Sequence, residues 1–177
     1  WRAISPIRTV YRLLRAAGFF AVAVVLHNGD HLRRGPGSTS ADVTWLGTLG
    51  VVIEVAVVVL VCQQHRLAPL AAAVTGVTLA AGYVLVHFLP ERSWFSDSFT
   101  SAADVSPLSW TAASLEVVAA LALAVAGLAV LSRRGGLASA SRPHPGQLSL
   151  REGLLHPLAF SFALSQVVTL AITAAQA

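Results

Sequence analysis

The chain has 177 residues, of which 55% are hydrophobic and only 11% are charged, and its net charge is +4. A soluble domain averages about 25% charged residues, so this chain has too little charge to cover a surface that faces water. Its apolar residues come in long runs, which predicts an all-α integral membrane protein. The single cysteine, Cys62, excludes an intrachain disulfide and any CxxC motif.

Five segments are long and apolar enough to cross a membrane as helices, which takes about 20 residues each. They are 9–27, 43–62, 67–89, 108–131 and 154–175. The first is the weakest candidate, because Arg12 and Arg15 shorten its uncharged part. The alternative interpretation of this segment is a signal peptide. No small-x-small cleavage site follows it, so we favour a retained span. We predict one membrane domain over 1–177, with a flexible cytoplasmic linker at 132–150.

The first span ends in the stretch HNGDHLRRG, where two histidines and an aspartate directly follow apolar residues. His27 and His31 lie four residues apart, so both project from one face if the helix continues through them. Gly29 lies between them and could interrupt that turn. Asp30 adds a carboxylate at the same place.

The second span carries Glu54 about nine residues past Trp45, which is roughly 14 Å along a helix. An ionised carboxylate is costly near the bilayer centre, so such a residue is a candidate functional group. One interpretation is an uncharged Glu54 in a structural network with Thr78 and Gln166, which lie at matching depths of the third and fifth spans. The other is a group that handles protons or ions. We favour the structural network.

The third span ends in VHFLPE, where His87 and Glu91 are four residues apart with Pro90 between them. The fourth span carries Glu116 about six residues past Trp110. It also contains small residues at helical spacing, which allow membrane helices to approach closely. They include Ala120, Ala124 and Gly127, and Gly76 and Gly82 of the third span have the same potential use.

The arginines predict the orientation of the chain. All twelve basic residues are arginine, and with five spans nine lie on one side of the membrane and only Arg33, Arg34 and Arg92 on the other. Since cytoplasmic loops carry the excess of basic residues, we predict a cytoplasmic N-terminus and an external C-terminus. The use of arginine and alanine is typical of a GC-rich bacterial genome, so we expect the bacterial cytoplasmic (inner) membrane.

In this topology the first and third spans bring their histidines to the same outer face. The candidate metal ligands are His27, His31 and His87, assisted by Asp30, Glu91 or Glu116. Nitrogen donors dominate this set, so we expect Zn or Cu. Haem is disfavoured, because its histidine pair normally lies deeper in a bundle. Two other interpretations of the cluster remain open, a structural polar cap and a proton relay.

No nucleotide-binding loop, catalytic triad or cofactor fingerprint occurs in the sequence, which favours a role other than catalysis. We expect a small multi-pass subunit that packs in the bilayer with other membrane subunits or with copies of itself and contributes an outer-face polar site. The alternatives are a metal-dependent membrane enzyme or redox protein, and a proton- or ion-transport subunit that uses Glu54. Membrane topology accounts for the arginines, so no nucleic-acid partner is expected.

Overall fold

The computed structural model describes residues 6–35, 37–91, 94–102 and 104–140, with side chains described between residues 10 and 133. The chain divides into two compact units, Trp1–Arg133 and Arg134–Ala177, and all side-chain geometry given below belongs to the first. The first unit is a bundle of helices, and the described ranges contain no β-strand.

Four helices follow one another along the part of the chain that the structure describes. They are α1 (Pro6–Arg34), α2 (Ala41–Cys62), α3 (Ala68–Tyr83) and α4 (Pro107–Ala140), and a π-helical turn (Val84–Phe88) continues α3 directly. Each provides a segment long and apolar enough to cross a membrane, namely Val10–Arg34, Ala41–Cys62, Ala68–Phe88 and Pro107–Arg133. The prediction of a helical membrane protein with several spans is therefore confirmed, and its four described spans lie where the sequence places them.

Two helices extend further than predicted. The first span continues through Gly29 to Arg34 without interruption. The fourth continues to Ala140, so the beginning of the predicted linker at 132–150 is helical. Alanine and leucine are strong helix formers, and no proline follows until Pro143, which explains the extension. The rest of that linker and the predicted fifth span at 154–175 lie outside the described residues.

The buried residues of α3 and α4 are mostly small, whereas α1 and α2 bury larger side chains such as Phe20 and Val57. The α3 and α4 backbones touch, because a β-carbon built on Gly76 would lie 2.4 Å from the carbonyl oxygen of Ala120. One built on Gly127 would lie 2.5 Å from the carbonyl oxygen of Pro69. Only glycine fits at both contacts. Gly82 makes no such contact, since its β-carbon would meet nothing within 4 Å.

The two ends of the bundle differ. We call the end where α1 and the π-helical turn finish, and where α2 and α4 begin, the polar end. The segment 94–106 folds back onto it, because the backbone N–H groups of Asp97 and Phe99 donate to the carbonyl oxygens of Val86 and His87 at 3.1 and 2.9 Å. We call the other end, which carries the α2–α3 turn, the apolar end.

Candidate metal centre

The last turns of α1 present two histidines on one face. Because the helix is unbroken through Gly29, His27 and His31 stack one turn apart, with ring centroids 4.7 Å from each other. Their Nε2 atoms lie 3.0 Å apart. His27 is buried and His31 is half-buried. A neutral imidazole has one N–H and one lone pair, so in this pair one ring donates to the other unless a metal replaces the shared proton.

The third histidine comes from the π-helical turn that ends α3. His87 is buried, and its ring centroid lies 4.9 Å from that of His27 and 5.7 Å from that of His31. Each of the three residues offers one ligand nitrogen, and these nitrogens all lie within 4.8 Å of one another.

The triad has nearly the dimensions of a metal site. Three imidazole nitrogens bound to one tetrahedral Zn²⁺ lie about 3.3 Å from one another, given Zn–N bonds of about 2.0–2.1 Å. The His27–His31 separation of 3.0 Å is slightly shorter, and the largest separation in the triad stays below 4.8 Å. Small side-chain rotations therefore suffice to direct all three nitrogens at one ion.

Asp97 orients His87 from the outside. Nδ1 of His87 donates to the backbone carbonyl oxygen of Asp97 at 3.1 Å, and the Asp97 carboxylate lies 3.4 Å from the same nitrogen. Because a carbonyl oxygen only accepts, Nδ1 carries the proton and Nε2 keeps the lone pair that a metal needs. Metal-binding histidines are usually held in this way by a carbonyl or a carboxylate.

The Asp97 carboxylate is ionised. Burial raises its pKa, but the hydrogen bonds from His87 and Arg34 outweigh burial and lower the pKa of Asp97 well below its usual range. Arg34, at the end of α1, has a fully buried side chain that pairs with Asp97 at 2.9 Å and with Asp104 at 2.7 Å. Its guanidinium also lies over the ring of Phe99. Arg34 thus ties the segment 94–106 to the end of α1.

Glu116 supports His27 from α4. Its side chain is fully buried, and one carboxylate oxygen lies 3.5 Å from Nδ1 of His27. That distance is too long for a good hydrogen bond but right for an electrostatic contact. As with His87, the other ring nitrogen of His27 faces the remaining histidines, so each buried histidine of the triad has an acidic neighbour behind it.

Two of the ligands proposed from the sequence do not reach the histidines. Asp30 is buried, but Arg33 donates to it at 2.9 Å and holds it on the neighbouring side of α1. Glu91 is exposed, because the chain becomes extended at Leu89 and leaves the helix axis before Pro90. The described structure therefore joins His27, His31 and His87, places Glu116 beside them, and leaves Asp30 and Glu91 apart.

Glu54 is almost fully buried, at 1% exposure, and it accepts a hydrogen bond from the hydroxyl of Tyr83. Thr78, which the sequence suggested as a partner at the same depth, is exposed on another face of α3. Tyr83 lies five residues further along the helix and has a long side chain, so it reaches Glu54 where Thr78 cannot. Gln166, the other suggested partner, lies outside the described residues.

Three residues of the site were not predicted as site residues from the sequence: Tyr83, Asp97 and Arg34. The sequence does contain a pattern that indicates Tyr83, because it precedes His87 by four residues and therefore lies on the same helix face. No spacing rule identifies Asp97, because it lies in an irregular segment. In the sequence, Arg34 is one of two arginines at the end of the first span and was used only to predict the orientation, although its side chain is entirely buried.

Comparison with known protein families, with curated proteins and with solved structures gives no match.

Proposed function

We propose that this protein holds one divalent transition metal between His27, His31 and His87 at the polar end of its bundle. The observation that carries the proposal is the meeting of three imidazoles from two helices, with ligand atoms within 4.8 Å of one another. Nitrogen donors favour Zn²⁺ or Cu²⁺ over Mg²⁺ or Ca²⁺.

The charges around the triad support a dication. Asp97 lies behind His87 and Glu116 lies behind His27, so a bound ion of charge +2 has two carboxyl groups at the second ring nitrogens of its ligands. Such outer partners fix the orientation of the rings and raise the basicity of the bound nitrogen. Asp97 is also paired with Arg34, which it shares with Asp104, whereas neither carboxylate oxygen of Glu116 has a hydrogen-bond partner among the described residues.

The biological role that we propose is that of a binding or accessory subunit, which contributes this metal site to a larger membrane assembly or to a homo-oligomer. A second candidate is a metal-dependent membrane enzyme or redox protein. Three histidines leave the fourth position of a tetrahedral ion for water or a substrate, as in catalytic zinc sites. The half-buried His31 provides a side from which that position is accessible.

We further propose a five-span topology with the N-terminus in the cytoplasm, in a bacterial inner membrane. The excess of arginines on one side supports this orientation, and residues 154–175 provide the fifth span. The polar end would then face outward. Reporter fusions after residues 35, 100 and 177 are expected outside, and fusions after 66 and 140 inside. An inverted pattern contradicts the orientation and leaves the metal site untouched.

The metal proposal is tested on the full chain purified in detergent. After removal of bound metal with a chelator, we expect the parent protein to take up about one equivalent of Zn²⁺. His27→Ala, His31→Ala and His87→Ala should each weaken Zn²⁺ affinity by about 100-fold, the upper range for losses around a metal site. Because protons compete for imidazole nitrogens, affinity should also fall as the pH is lowered.

His65→Ala is the matched control, because His65 is exposed in the turn at the apolar end. It should bind Zn²⁺ as the parent does. The metal proposal would be wrong if the parent bound no more Zn²⁺ than His31→Ala does. The triad would then be only a polar end of the helices.

A further inference from the structure

Four buried side-chain atoms have no hydrogen-bond partner among the described residues, and all four belong to one group of contacting side chains. They are Nδ1 of His27, Oε2 of Glu54 and both carboxylate oxygens of Glu116. Glu54 is 1% exposed and Glu116 is fully buried. Native proteins leave few such atoms unsatisfied, and each one calls for an explanation such as an ion or a catalytic role.

Tyr83 connects the two glutamates. Its hydroxyl donates its only hydrogen to Glu54, and the same side chain is close enough to Glu116 to interact with it electrostatically. One carboxyl group from α2, one from α4 and one hydroxyl from α3 therefore face a common point in the bundle.

The donors available at this point are fewer than the acceptors. Three carboxylate oxygens of Glu54 and Glu116 lack a partner. Nδ1 of His27, 3.5 Å from Glu116, can serve one of them. Two oxygens then still have none, because the hydrogen of Tyr83 is already used on the other oxygen of Glu54.

Neither arginine that the structure describes at the polar end relieves this excess of acid. Arg33 is paired with Asp30, and Arg34 with Asp97 and Asp104. A buried carboxyl group in such surroundings is stabilised either by a proton or by a bound cation, and a cation bound by both carboxylates supplies the charge and the missing partner together.

We propose that Glu54, Glu116 and the hydroxyl of Tyr83 form a second cation site, distinct from the three histidines, for a divalent ion that prefers oxygen ligands. Ions of this class are Mn²⁺, Mg²⁺ and Ca²⁺. All three donors are oxygen atoms, and two of them belong to the carboxyl groups of Glu54 and Glu116, of which Glu116 also lies beside His27. His27 separates the two sites, since one ring nitrogen faces His31 and the other faces Glu116.

The experiment uses the full chain in detergent, stripped of metal and then given one equivalent of Zn²⁺ so that the histidines are filled first. Mn²⁺ is titrated next and followed by its electron paramagnetic resonance signal. We expect the parent to bind one Mn²⁺. Glu54→Gln keeps the size of the side chain but removes its charge, so it should weaken Mn²⁺ affinity at least about 100-fold while Zn²⁺ binding persists.

Two variants separate this site from the histidine triad. His31→Ala should lose Zn²⁺ and keep Mn²⁺, because His31 does not contact either glutamate. Glu91→Gln is the matched control for Glu54→Gln, since Glu91 is exposed, and it should keep both ions. Failure of Zn²⁺ binding with Mn²⁺ retained would count against the triad alone, so the two proposals fail separately.

Several results would overturn the second site. The first is a parent protein that binds no Mn²⁺ at millimolar concentration, which means that protons satisfy the two carboxyl groups. The second is equal Mn²⁺ binding by Glu54→Gln and Glu91→Gln, and the third is loss of both ions together in His31→Ala. If Glu54→Gln does not fold, Tyr83→Phe takes its place with an expected loss of about 10-fold. Nitrogen couplings from imidazole as the only ligands in the Mn²⁺ spectrum would also contradict the site.

Discussion

In the two halves of this bundle the same faces of the helices are buried, but the buried side chains are apolar in one half and include charged and polar groups in the other. On α1 the stripe contains Leu13 and Phe20 toward the apolar end, and it continues as His27 and Arg34 toward the polar end. Helix α4 shows the same change in the reverse direction of the chain, from Glu116 near its start to a run of alanines and a glycine further on. The change lies in the side chains and not in the course of the helices.

This difference assigns different tasks to the two halves. The apolar half holds the helices together through backbone contacts at Gly76 and Gly127, and such close packing drives helix association in lipid. The polar half gains little from its buried acids and histidines as long as they lack partners. The stability of the first half therefore allows the second half to keep unsatisfied groups ready for a ligand.

The largest effect is expected where the apolar half is overfilled. Gly76→Val forces side-chain atoms against the α4 backbone, where even a β-carbon would lie 2.4 Å from a carbonyl oxygen. We expect the free energy of unfolding in detergent to fall by about 3 kcal/mol, the upper range for overpacking. Gly82→Val is the control, because a β-carbon there meets nothing within 4 Å. Equal stability of the two variants would mean that this contact does not hold the helices.

A smaller effect is expected at the link between α1 and the segment 94–106. Arg34→Gln removes both ion pairs and frees Asp97, so His87 is less well oriented. We expect Zn²⁺ affinity to fall about 10-fold, as for other outer partners of metal ligands, with little change in helix content by circular dichroism. Arg12→Gln, an exposed arginine of α1, should leave the affinity unchanged. A parent-like affinity in Arg34→Gln would show that Arg34 has no part in orienting the site.

The smallest effect is a loss of stability in acid. The pKa of Asp97 is lowered in the folded protein, so its contribution is fully present above the usual Asp pKa of about 3.9 and is lost as the pH falls toward the lowered value. Thermal unfolding of the metal-free parent should therefore shift to lower temperature below about pH 4. Asp97→Asn should be less stable at neutral pH and should lack this part of the acid dependence. An identical pH profile in both proteins would contradict the role given to Asp97.

The sequence predicts well what depends on helix periodicity. Runs of apolar residues locate the four described spans, and the four-residue spacing of His27 and His31 predicts their common face. Continuity of the helix through Gly29 is less certain from sequence, because glycine lowers helix propensity by about 1 kcal/mol without forbidding a helix. Here the surrounding bundle decides in favour of the helix.

What the sequence does not predict depends on contacts between distant segments. Asp97 reaches His87 through an irregular segment, and the buried pairing of Arg34 depends on the same segment. Position along the helices suggests that Glu54 contacts Thr78. However, the orientation of α3 about its own axis exposes Thr78 and directs Tyr83 toward Glu54 instead. An estimate of depth along the sequence does not give the rotation of a helix about its axis. In a bundle, that rotation determines which polar side chains contact one another.

The π-helical turn at Val84–Phe88 sets the rotation of the third imidazole about the axis of α3. A π-helical turn is closed by i→i+5 hydrogen bonds, so it contains more residues than an α-helical turn. A variant that is one residue shorter here would return to an α-helical turn, which would rotate His87 by about 100° relative to the buried stripe of α3. Such a deletion is expected to keep the four helices and to direct the third imidazole away from the other two. The length of this single turn therefore determines whether the triad is complete or only the pair on α1 remains.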